Sequence, residues 1–139
     1  MQVNLKRVSP PFHFEATNES GNSISIDASP SIGGLGLGAR PMELLLMGLG
    51  SCSGIDIIHI LNKQRQNLTD FKIKVNAERE TGKDANLFTK IHIHFEVTGE
   101  IAKDKLETAI NLSLEKYCSV AKTLEKTSQI THSYSINGE

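Results

Sequence analysis

The sequence predicts an α+β fold in which antiparallel sheets cover one long buried helix. Three observations predict it. Short stretches in the opening third and mid-chain alternate apolar and polar residues, the period of a half-buried strand. Residues 41–64 form one apolar segment of helical length. A second helical stripe then precedes a closing strand. At 139 residues the chain is expected to be a single domain spanning 1–139, large enough to bury a core without disulfides or metal.

The opening strands come first. Val3 and Leu5 alternate with polar residues, as do Phe12, Phe14 and Ala16, and then Ile24 and Ile26. Pro10–Pro11 and Glu19-Ser20-Gly21-Asn22 supply the turns. Mid-chain, Phe71, Ile73, Val75 and Ala77 share one face of a strand, and Ile91, Ile93, Phe95 and Val97 share one face of the next. Lys90, His92, His94 and Glu96 then fall on the opposite face, where the two histidines are expected to be solvated. The last strand is ITHSYSI, 130–136. One-sided sheets of this kind are antiparallel and need a helical layer on their apolar face.

Residues 41–64 supply that layer, with Pro41 in the first turn. Apolar side chains surround the axis, so a sheet can cover only one side. A second copy of the chain is the expected cover for the rest, which predicts a homodimer. A second helix fits 103–117, with Leu106, Ile110, Ser113, Leu114 and Tyr117 on one stripe, and a short third helix fits 118–127.

Composition excludes several function classes. The chain is 38% hydrophobic and 22% charged, with a formal net charge of −1. It lacks the positive field of a general nucleic-acid binder. The start, MQVNLKRVSPPFHF, has no apolar core of signal-peptide type. The most apolar stretch, 42–61, carries Glu43, Asp56 and His59 and reads as too short to span a bilayer. A cytoplasmic protein with reduced thiols and no membrane partner is expected. Gly34 to Ala39 imitate a dinucleotide fingerprint, but no βαβ unit encloses them, and no cofactor is expected.

The chemistry rests on two cysteines, Cys52 and Cys118. Cys52 lies within the apolar helix, among Gly48, Gly50 and Gly54, where either a core filler with helix contacts or a close approach to the backbone would explain the glycines. Cys118 opens the third helix, where free N–H groups, with Lys116 and Lys122 nearby, would favour a thiolate. Two such thiols suit reversible dithiol chemistry if the fold brings them together. Cys52, Asp56 and His59 also share a helix face, a spacing that a metal could use with Cys118, although a solvated or partner-facing stripe is the simpler reading. No metal is expected.

Two segments, ARPMELLLMGLGSCSGIDII and LSLEKYCSVAKTLEK, resemble the OsmC/Ohr family of osmotically inducible and organic-hydroperoxide-resistance proteins, closest to its YhfA-like branch. The resemblance spans almost the whole chain in order. It implies an intertwined homodimer with the sheets wrapped around the central helix and active sites at the interface. It also implies that Cys52 attacks an organic hydroperoxide, that Cys118 resolves the product as a disulfide, and that an external dithiol regenerates the pair. Members use an arginine held by a glutamate near the start of the cysteine helix, and Glu43 matches that glutamate, one place late. Nine residues of helix put Glu43 about 13 Å from Cys52 and half a turn round, so it would serve a second copy's thiol. Residues 8–39 contain no arginine, a departure from the family pattern, and Arg40 is the first candidate ahead of Arg7 and Arg79. Without an aligned arginine, a non-catalytic redox-responsive or small-molecule-binding dimer is the alternative.

Overall fold

The computed structural model describes all residues, 1–139, and has the expected α+β class. It forms two compact units, Met1–Leu46 and Met47–Glu139.

In the first unit, β1 (Val3–Ser9), β2 (His13–Asn18) and β3 (Ser23–Ile26) make an antiparallel meander. Cross-strand partners share a face. Leu5, Ala16 and Ile24 therefore form one row, and Arg7, Phe14 and Ile26 the next. This apolar face is largely open, with Val3, Leu5 and Ile24 each more than half exposed. After β3, a short helical turn at Pro30–Ile32 leads into the glycine-rich segment.

Asp27 organises that segment. The residue is 3% exposed, and its carboxylate accepts the N–H groups of Ala28, Leu35 and Leu37 at 2.7, 3.2 and 3.0 Å. These bonds, that of Leu37 foremost, hold the carboxyl below its ordinary pKa. A Cβ on Gly34 would lie 1.9 Å from the Ala28 carbonyl oxygen, and one on Gly38 would lie 2.4 Å from the Ser25 backbone. Gly34 and Gly38 therefore serve close backbone packing.

Helix α1, Pro41–Lys63, runs from the end of the first unit into the second. Leu49, Ser53, Ile57 and Leu61 are fully buried along one stripe. Met47, Ile55 and Ile58 on other faces are exposed, so a single chain buries α1 on one side only. With 23 residues, α1 is long and apolar enough by length and composition to cross a bilayer. The buried core helix of a globular protein passes the same test, and Glu43, Asp56 and His59 interrupt its apolar run.

In the second unit, β4 (Asn67–Arg79), β5 (Phe88–Glu100) and β6 (Gln129–Ile136) form a sheet with β5 central. Ile91, Ile93, Phe95 and Val97 of β5 are almost completely buried. Gly50 and Gly54 of α1 approach β4: a Cβ on Gly50 would meet Val75 at 3.3 Å, and one on Gly54 would meet Ile73 at 2.6 Å. The glycines beside Cys52 thus permit helix–sheet contact.

One part of the antiparallel expectation is corrected. β4 pairs antiparallel with β5, but β6 pairs parallel with it. The reason is the connection, which spans α2 (Lys103–Leu112), a π-helical turn (Ser113–Tyr117) and α3 (Ser119–Leu124). Such a crossover carries the chain back to the end of the sheet at which β5 began, so β6 runs parallel to it. His92 and His94 are half-buried, not freely solvated. His92 bonds the hydroxyls of Thr131 and Ser133, and His94 bonds Ser133, all at 2.8 Å, because parallel β6 lays its polar face beside theirs.

Candidate functional site: a dithiol with an adjoining carboxylate

The second unit brings Cys52 and Cys118 together. Their sulfurs and a carboxylate oxygen of Asp56 all lie within 4.8 Å of one another. Cys52 and Asp56 stand one turn apart on α1 and are half-buried, whereas Cys118 is completely buried. Both cysteines are free thiols.

The π-turn positions the second thiol. The N–H of Cys118 donates to the Ser113 carbonyl, five residues back, at 2.7 Å. The same turn buries Ser113, whose hydroxyl donates to Oδ2 of Asp56 at 3.0 Å, with the Ser53 carbonyl a further acceptor at 3.4 Å. Ser113 therefore orients the carboxylate beside the thiols. Its role is absent from the sequence reading, although a hydroxyl on an otherwise apolar helix stripe is the signal that marks it. His59 is exposed and lies outside the cluster.

Cys118 caps α3, its sulfur accepting the Ala121 N–H at 3.4 Å. The expectation of a stabilised thiolate is nevertheless corrected. Burial pushes the Cys118 thiol up to about 12, outweighing the N–H groups of Ala121 and Val120, and neighbouring Cys52 adds to the rise. The lysines expected to help are engaged elsewhere. Lys116 stands over the Tyr117 ring at 5.2 Å, and Lys122 pairs with Glu125 at 2.7 Å.

Arg40 and Glu43 are brought together within the first unit. The Glu43 carboxylate accepts the Arg40 backbone N–H at 2.9 Å and lies 3.8 Å from its Nε. The first bond caps the start of α1, since a glutamate three residues into a helix can reach back to a free N–H. The ion pair is half exposed and by itself adds little stability. Arg79 is committed elsewhere: Nε donates to the Asn86 carbonyl at 2.7 Å and the guanidinium lies 6.0 Å from the Phe88 ring centroid. Arg7 shares the open apolar face of the first sheet.

Comparison with known proteins places the chain. The family described as OsmC-like protein matches residues 34–133. Protein YhfA of Escherichia coli strain K12 is 42% identical over 137 residues, covering 98% of each chain. A hypothetical protein from Aquifex aeolicus VF5 is 33% identical, with a TM-score of 0.86 over 98% of this chain and 95% of that one. The fold also extends to an organic hydroperoxide resistance protein OsmC from Legionella pneumophila, 18% identical, with a TM-score of 0.72 over 97% of each chain. A family match over residues 34–133, with 42% identity to YhfA across 98% of the chain, makes this chain a member of the OsmC-like family.

Proposed function

We propose that the protein is a dithiol peroxidase for organic hydroperoxides, with Cys52 attacking and Cys118 resolving. The observation that carries the reading is the approach of two sulfurs, 66 positions apart in sequence, to within 4.8 Å. The half-buried Cys52 is the more accessible of the two, so it meets the peroxide first. Its sulfur attacks the distal oxygen, the O–O bond breaks, and the alkoxide leaves as an alcohol after taking a proton. The resulting sulfenic acid is attacked by Cys118, water departs, and a disulfide forms. An external dithiol restores both thiols by exchange.

The working unit in this proposal is a cytoplasmic homodimer in which 1–139 acts as one domain. Two open apolar surfaces support it: Val3, Leu5, Phe14 and Ile24 on the first sheet, and Met47, Ile55 and Ile58 on α1. Arg40, held by Glu43, would stabilise the developing alkoxide at the dithiol of a second copy. The alternative, a redox-responsive dimer without peroxide turnover, is favoured by one observation. Lys116 and Lys122 face Tyr117 and Glu125 instead of the thiols.

The test is consumption of cumene hydroperoxide with dithiothreitol as reductant. Wild type is expected to turn over and Cys52→Ser to be inactive. Turnover that persists in Cys52→Ser contradicts the assignment, and no consumption by wild type leaves the redox-responsive reading in its place.

A further inference from the structure

We infer that the reduced site is also a binding site for a thiophilic divalent cation, of which zinc is the type, held by Cys52, Cys118 and Asp56. This goes beyond peroxide reduction. It uses the same two thiols but requires no peroxide turnover.

The donor set fits. Two sulfurs and one carboxylate oxygen are the ligand types that zinc selects, and three protein donors leave a fourth position for water. All three donor atoms already lie within 4.8 Å of one another. A tetrahedral ion about 2.3 Å from each sulfur holds the two sulfurs about 3.8 Å apart, so ligation asks for a contraction of no more than about 1 Å. Two donors are fixed by one turn of α1, and the third follows a hydrogen-bonded π-turn.

A second observation is independent of the thiols. Metal-binding carboxylates are themselves hydrogen-bonded by residues behind them, which fixes the ligating oxygen. Ser113 plays that part: it is completely buried, and its hydroxyl donates to Oδ2 of Asp56 at 3.0 Å. Cys52 and Asp56 are half-buried, which gives an ion a path in from solvent on the α1 side.

The exchange balances simply. Two S–H bonds break, two metal–sulfur bonds form, and both protons pass to solvent, while the carboxylate ligates without a proton change. The bound ion takes the sulfur lone pairs that a peroxide would need. Metal and hydroperoxide therefore compete for one site, and the ion would shield the thiols until it is removed.

Metal-free, reduced protein titrated with Zn²⁺ against a chromophoric chelator tests this, alongside Co²⁺ read by its thiolate charge-transfer absorption. The expected result is one ion per chain with thiolate ligation, lost in Cys52→Ser and in Cys118→Ser. Ser113→Ala should weaken binding by about 10–100-fold if the second-row hydroxyl orients Asp56, and Asp56→Asn should weaken it at least as much. Zinc uptake no greater than that of the double serine variant overturns the proposal. So does wild-type affinity in both Asp56→Asn and Ser113→Ala, since Asp56 would then not be a ligand. Peroxide consumption by the same metal-free sample is measured in parallel. Zinc uptake without peroxide turnover contradicts only the peroxidase reading, and turnover without uptake contradicts only the metal site.

Discussion

Gly54 of α1 and Ile73 of β4 approach so closely that a Cβ on the glycine would stand 2.6 Å from the Ile73 Cδ1. Gly48 has room, with its nearest contact, Val120, at 3.9 Å. Alanine at position 48 should therefore gain helix propensity unopposed, stabilising by about 0.5–1 kcal/mol. At position 54 the same gain is opposed by displacement of Ile73 from its rotamer, at about 1–3 kcal/mol. Urea unfolding of the two variants should rank Gly48→Ala above wild type and Gly54→Ala below Gly48→Ala. Equal midpoints would show that the helix–sheet approach is not tight.

The buried Cys118 thiol gives a pH dependence with a fixed sign. Its folded pKa, about 12, lies above the ordinary 9.0. Its contribution to stability is therefore complete below pH 9.0 and is lost as pH rises from there toward 12, because the unfolded chain sheds the proton first. Unfolding midpoints of wild type should fall more steeply above pH 9.0 than those of Cys118→Ala. Parallel slopes would contradict the burial argument.

Asp27 gives the opposite dependence. Its folded pKa is lowered from 3.8 by the Leu37, Ala28 and Leu35 N–H groups and by His13. The contribution is present above pH 3.8 and lost as pH falls below it, when protonation weakens those bonds. Thermal melts from pH 5 downward should show wild type losing Tm faster than Asp27→Asn, which starts lower. Identical acid limbs would mean that the carboxylate does not hold the glycine-rich segment.

Arg40 and Arg79 separate a candidate activating arginine from a structural one. If Arg40 stabilises the alkoxide, Arg40→Ala should slow peroxide consumption by about 10²–10³-fold, the usual cost of one such donor. Arg79→Ala should leave the rate unchanged, since Arg79 is bound to the Asn86 carbonyl and stacked near Phe88. Equal rates for wild type and Arg40→Ala would point to Arg7 as the next residue to test.

Much of this fold is legible in the sequence because it follows from period. The alternation of Ile91, Ile93, Phe95 and Val97 places β5, and the apolar length of 41–64 places α1. The parallel pairing of β6 is not legible from alternation, because the two faces of a strand read the same in either direction. The site divides in the same way. Cys52 and Asp56 share a helix face by spacing alone, whereas their meeting with Cys118 depends on the π-turn, a single-residue adjustment with no periodic signature. The state of Cys118 is not legible in the sequence for a related reason. A helix start can be recognised locally, but the burial that overrides it comes from distant residues.

The most direct measurement is mass analysis of the reduced, metal-free protein after one equivalent of cumene hydroperoxide. The account predicts rapid formation of one intramolecular disulfide between Cys52 and Cys118, with Cys118→Ser stopping at the Cys52 sulfenic acid. Thiols left intact in wild type, or oxidation that begins at Cys118 and bypasses Cys52, would contradict it.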